Sequence, residues 1–183
     1  MPNMKTHIVM VQATGHSVTL PAADGLSYRP INEDATFALI GRVAVWSAYV
    51  DRLVERMIWL LMGVGAEAGA AATGKMANTD QLFTRAIKLA RSKRMPDGFI
   101  TKLEAAHQAT LDLRDQRARI LHDPWHVSSI GELAQFRAAP KGASQVFGFV
   151  DVSEQEVRDV IGRYEAHFAE VGALHDKLKT AGP

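Results

Sequence analysis

From residue 33 onward, apolar side chains recur at alternating steps of three and four, the spacing that keeps them on one face of a helix. Val43, Trp46, Val50, Leu53, Met57 and Leu60 predict a long first helix over Glu33 to Met62. Asn32 and the acidic pair Glu33-Asp34 suit its start, where the helix dipole favours negative charge. Leu82, Ala86 and Leu89 predict a second helix, opening at Thr79 or Asp80 and ending near Arg94. Pro96-Asp97-Gly98 then breaks the chain. Phe99, Leu103, Ala106, Thr110, Leu113, Arg117 and Ile120 predict a third helix ending at His122, because Pro124 pushes the residue before it out of helical geometry. A capping box, Ser153-Glu154-Gln155-Glu156, opens the last helix, with Val157, Val160, Ile161, Tyr164, Phe168, Val171, Leu174 and Leu178 inward and an end near Lys179.

Elsewhere the texture is that of strands. His7 to Val11 and Ser17 to Leu20 are β-favouring runs among turn residues, so residues 1–32 read as an N-terminal arm or hairpin. Trp125 to Ser128, Leu133 to Ala138 and Gln145 to Val152 are divided by Gly131 and by Pro140-Lys141-Gly142, the pattern of a small antiparallel sheet. The expected fold is mainly α: a four-helix-type bundle over 33–183, with a small antiparallel β insertion at about 125–152, before the last helix. Trp59, with Ile58, Leu61 and Met62, makes the end of the first helix apolar all round, which suits either internal packing or a subunit interface. Gly69, Gly74 and Lys75 match part of a phosphate-binding loop. Met76 stands where that loop needs a hydroxyl, however, and no strand precedes it.

Composition narrows the chemistry. The 183 residues are 47% apolar, enough for a real core, and 21 basic against 20 acidic residues leave a net charge of +1. Nothing global advertises a polyanion partner, so any such site is local. Without cysteine there is no disulfide, thiolate zinc site or cysteine nucleophile, which fits a reducing, cytoplasmic setting. The most apolar segment, Met57 to Val64, is far too short for a membrane span. His122 and His126 are four apart, but Pro124 lies between them and no third ligand is indicated, so neither a metal nor another cofactor is expected. No Gly-x-Ser-x-Gly elbow occurs for a hydrolase.

One stretch stands out, Leu113 to Trp125. Arg117 falls in an otherwise apolar row, where a permanently charged guanidinium needs an anion, a carboxylate or a water-filled gap to face. His122 lies on the last turn of the same helix. Guanidinium suits phosphate oxygens and imidazole titrates near neutral pH, so the two residue types are compatible with chemistry at a phosphate.

In this setting RARILHDPW, residues 117–125, resembles the motif segment of the HEPN family (higher eukaryotes and prokaryotes nucleotide-binding domains): an arginine, a polar residue, a few more residues and a histidine at the end of a long helix. The resemblance implies an α-helical homodimer in which two copies of this helix face each other across a cleft, where nuclease members cut RNA without a metal. Arg117 and His122 would then be catalytic, with Arg114, Arg119 and Trp125 as substrate contacts. RNA or a nucleotide would be the ligand, and a cognate antitoxin protein a partner. Ala118 departs from the pattern, because the family places a polar residue directly after the arginine. That leaves two readings open: a metal-independent endoribonuclease of toxin or defence type, and a non-catalytic helical dimer serving as an interaction or structural module. In the second, Arg117 pairs with a carboxylate between helices and His122 caps the last turn.

Overall fold

The computed structural model describes residues 7–8, 26–76, 78–141 and 144–181. It is mainly α-helical, with a small antiparallel sheet whose longest strands precede the last helix. The chain divides into two compact units, Arg42–Arg117 with Val160–Pro183, and Met1–Gly41 with Ala118–Asp159.

The first unit is helical. It holds most of α1 (Asp34–Met62), α2 (Ala66–Thr73), α3 (Thr79–Ser92), most of α4 (Asp97–His122) and most of α5 (Glu154–Ala181). Its core comes from the stripes that periodicity predicts: Phe99, Leu103, Ala106, Thr110 and Leu113 of α4 are buried, as are Tyr164, Val171, Leu174 and Leu178 of α5. Asn78 caps α3, one residue ahead of the expected start, by accepting a 3.0 Å hydrogen bond from the Gln81 amide.

The stripe of α1 differs from expectation. Val43, Ser47, Val50, Val54, Met57 and Leu61 point inward, whereas Leu60 is 38% exposed and Trp46 and Leu53 are half-buried. Ser47, a polar residue, occupies the inward position that the sequence pattern gave to Trp46. The reason is a second requirement on that row, a hydrogen bond described below.

The glycine- and alanine-rich segment after α1 is the short helix α2, an element the sequence does not announce. Trp59 explains its composition. The indole is buried at 8% exposure and lies so close to the α2 backbone that a Cβ on Gly69 would sit 2.4–2.6 Å from its ring atoms. Only glycine fits there. Trp59 Nε1 donates to Thr73 Oγ1 (3.3 Å), and that hydroxyl donates in turn to the Gly69 carbonyl (3.0 Å). The end of α1 is therefore apolar all round because Trp59 is covered from within the chain.

The second unit carries a five-stranded antiparallel sheet: β1 (His7–Ile8), β2 (Tyr28–Pro30), β3 (Trp125–Ser128), β4 (Leu133–Lys141) and β5 (Ser144–Asp151), in the order β1-β5-β4-β3-β2. Residues from both ends of the sheet's sequence range meet: Tyr28 pairs with Ser128 and His7 with Phe149, so the described strands of the expected arm are edge strands of this sheet. Ser17 to Leu20 lies outside the described residues. Gly131, at φ +88°, makes the β3–β4 turn that residues with a Cβ adopt only with strain. On one face Tyr28 stacks on Phe149 at 3.8 Å, with Phe136 and His126 edge-on to Phe149 at 5.3 and 5.0 Å. The capping box opens α5 as expected: Glu156 accepts from the Ser153 amide (2.6 Å) and the Glu156 amide donates to Ser153 Oγ (3.2 Å).

Candidate functional site

The helix carrying the motif is unbroken through His122, and the Asp123 amide still donates to the Arg119 carbonyl at 3.0 Å. The last turn does not unwind. Five residues along an ideal helix rotate a side chain by about 140°, so Arg117 and His122 of one chain leave the helix in different directions.

Arg117 belongs to the helical unit and is half-buried in a polar cluster with α1. Its Nε donates to Ser47 Oγ at 3.0 Å, and the Ser47 hydroxyl donates to the Ala44 carbonyl at 2.9 Å. One turn further along α1, Asp51 accepts a 2.5 Å bond from Thr79 Oγ1. Burial raises the Asp51 carboxyl above its ordinary range, while the Thr79 hydroxyl and then the Arg117 charge pull it back. Burial likewise pushes the Tyr164 phenol up to about 12, partly offset by the positive field of Arg117. The guanidinium thus has a hydroxyl acceptor in Ser47, and its charge reaches the Asp51 carboxyl as a field. Sequence reasoning found Arg117 and missed Ser47 and Asp51, although a serine in the row Val43, Val50, Val54 was a legible sign of a buried partner.

His122 and the flanking candidates lie in the sheet-bearing unit, apart from Arg114. His122 is exposed at the end of α4. Trp125, expected as a substrate contact, is buried at 8% exposure, and its indole Nε1 donates to the Ile120 carbonyl at 2.8 Å. It closes the helix end from within the fold. Arg119 is paired with Asp123 (3.6 Å) and Arg114 with Asp115 (3.3 Å). Arg91, a further basic group near the second helix end, is paired with Glu104 at 2.5 Å. Three of the cations near the motif and the second helix end, Arg91, Arg114 and Arg119, are thus engaged by carboxylates.

A network that the sequence did not reveal also finishes α4. Gln135, fully buried, donates from Nε2 to the Arg119 carbonyl (3.0 Å) and accepts from Arg137 through both Nε (3.1 Å) and Nη2. Arg137 also reaches Asp123 at 3.4 Å. Burial, then the like charge of Arg119, lowers the Arg137 guanidinium from its usual value, while Asp123 and Glu156 counter this. Among the described residues no three His, Asp or Glu side chains gather as a metal site.

In the helical unit a buried imidazole, His167, lies over Phe83 with centroids 6.3 Å apart and the rings inclined by 28°. Thr110 Oγ1 donates its single proton to the Ala106 carbonyl (3.1 Å), so the 2.8 Å contact with His167 requires Nε2–H as donor. Nδ1 is then a lone pair with no hydrogen-bond partner among the described residues. Burial lowers the His167 pKa and keeps the ring neutral, Glu170 opposing the effect.

Set beside family models, curated proteins and solved structures, the chain matches none.

Proposed function

We propose that this chain is a HEPN-like helical protein working as a homodimeric interaction or structural module, with Arg117 holding helices together instead of holding a phosphate. The observation that carries the reading is the engagement of Arg117 Nε by the Ser47 hydroxyl on α1. Ala118, in the position where the family motif has a polar group, agrees with it. A surface suited to a second copy lies on the helical unit, where the exposed Val45 and Tyr49 adjoin Trp46 and Phe168 in a group of rings 5.4–5.9 Å apart. The competing reading, an RNA-cleaving toxin or defence protein held in check by an antitoxin, draws on the exposed imidazole of His122, which a two-fold partner could meet with its own Arg117.

The deciding experiment incubates single-stranded and hairpin RNA with the protein in EDTA, beside His122→Ala and Arg117→Ala. The module reading expects intact RNA with wild type, an unchanged melting temperature for His122→Ala, and a lowered one for Arg117→Ala. Metal-independent cleavage that His122→Ala abolishes while remaining folded overturns it in favour of the ribonuclease. Sedimentation at micromolar concentration should give the mass of two chains, and Tyr49→Glu the mass of one.

A further inference from the structure

Where α1 ends, a cavity of about 350 Å³ opens in the helical unit, lined by Arg52, Arg56, Trp59, Leu60, Val64, Ala66, His175 and Lys179. The lining has two parts. Trp59, Leu60, Val64 and Ala66 make an apolar floor, and Leu60 is a large side chain left 38% exposed there. Arg52, Arg56 and Lys179 make a rim of three permanent positive charges, with the His175 imidazole among them.

The charges of this rim are not balanced. Arg52 holds Glu55 at 2.7 Å while its guanidinium lies 4.7 Å from the centre of the Trp59 ring, and His175 contacts Asp176 at 3.1 Å. Arg56 and Lys179 have no ion-pair partner among the described residues. Helical spacing makes this a built arrangement: Arg52, Arg56 and Leu60 succeed one another at four-residue steps on α1, and His175 and Lys179 do so on α5. Two unneutralised cations beside an apolar floor attract an oxyanion that carries an apolar body. A neutral apolar molecule would leave the charges unanswered, and a bare ion would leave the floor wet. The volume lies at the small end of ligand sites and, at about 30 Å³ per water-sized group, holds roughly a dozen such groups. That is the size of a small molecule, too small for a folded partner.

We propose that this cavity binds a small carboxylate or phosphate monoester with a compact apolar body, the oxyanion held between Arg56 and Lys179 and the body against Trp59 and Leu60. The site is separate from Arg117 and stands whether or not the chain cleaves RNA. Guanidinium accepts either head group in a forked pair of hydrogen bonds, so the two sources are separated by titration.

Calorimetric titration of the full chain with phenyl phosphate, octanoate, inorganic phosphate and octanol is the test, repeated on Arg56→Gln, Lys179→Gln and, as a control remote in sequence, Lys88→Gln. At least one of the two amphipathic anions should bind saturably at one per chain. Affinity should fall tenfold or more in Arg56→Gln and in Lys179→Gln with unchanged circular dichroism, and stay unchanged in Lys88→Gln. Whichever of phenyl phosphate and octanoate binds more tightly identifies the head group. The proposal is overturned if neither binds, if inorganic phosphate or octanol binds as tightly, or if the double variant Arg56→Gln/Lys179→Gln keeps wild-type affinity.

Discussion

Two arginine sites on the helical unit make opposite use of the same group. Arg117 stands in an apolar row, and the fold answers it with the Ser47 hydroxyl, its charge reaching Asp51 as a field. Arg56 stands on an exposed helix face, where its position in the sequence raises no question, yet it borders a cavity with no carboxylate of its own. A charge that looks anomalous in a sequence is often the one the fold has already balanced, because an unbalanced buried charge would cost too much to keep. A charge left for a ligand has to be tolerable while the ligand is away, and that favours a solvated rim.

The sharpest way to break this contrast is to remove each charge in turn. Arg117→Met removes the hydrogen bond to Ser47 and the positive field on Asp51, and should destabilise by about 2 kcal/mol, the range of a hydrogen bond from a charged donor. Adding Asp51→Asn should recover part of the loss. Arg56→Gln, by contrast, should change stability by less than about 0.5 kcal/mol, as exposed substitutions do. Chemical denaturation reads all three, and an Arg117→Met protein as stable as wild type would end the structural account of that residue.

Next in size is Gly69→Ala. The new methyl would overlap the Trp59 indole at 2.4–2.6 Å. Overpacking of this kind, less the better helix propensity of alanine, should cost about 1.5 kcal/mol. It should also weaken ligand binding at the cavity, since Trp59 is one of its walls. Normal stability together with normal binding would mean that Trp59 does not pack against α2 in solution.

A smaller effect separates the two buried titrating groups by pH. The lowered pKa of His167 means that its contribution to stability is present above the unfolded value of 6.5 and is lost as pH falls through the folded value. The raised pKa of Asp51 works the other way: its contribution is present below the unfolded value of 3.8 and is lost as pH rises through the folded value. Acidification from pH 7 should therefore lower the melting temperature first through His167. His126 in the sheet, lowered by burial, adds to the same trend. His167→Gln, which keeps a donor for Thr110, should flatten the slope, and an unaltered slope in that variant would reassign it. The smallest effect belongs to Lys179→Gln, whose melting temperature should match wild type within error even as phenyl phosphate or octanoate binding falls.

What was legible in the sequence follows from how far apart the determinants lie. The buried row of α4 could be read residue by residue, because a helix face is a local property. On α1 the row slipped by one position: Trp46 is large and apolar, and only the arrival of Arg117 on another helix explains why Ser47 faces inward. The helix α2 was hidden because its glycine and alanine content answers to Trp59, a contact no window of sequence contains. Edge strand β2 pairs with residues about 100 positions away and β1 with residues about 140 away. The cavity was hidden for the same reason. Arg52 and Arg56 meet His175 and Lys179 across more than a hundred residues of chain.

The closing of α4 has a consequence for how this part of the molecule opens. Carbonyls at Arg119 and Ile120 are held by Gln135 of β4 and Trp125 of β3, and the Phe136 amide donates to the Pro124 carbonyl at 2.9 Å. Helix ends ordinarily fray one residue at a time and exchange their amide hydrogens independently. Here the last turn and the β3–β4 hairpin share their hydrogen bonds, so neither can be lost alone. In deuterated water the Asp123 amide should exchange at the pace of the Val127 and Phe136 amides, as one cooperative unit, and Gln135→Ala should uncouple them.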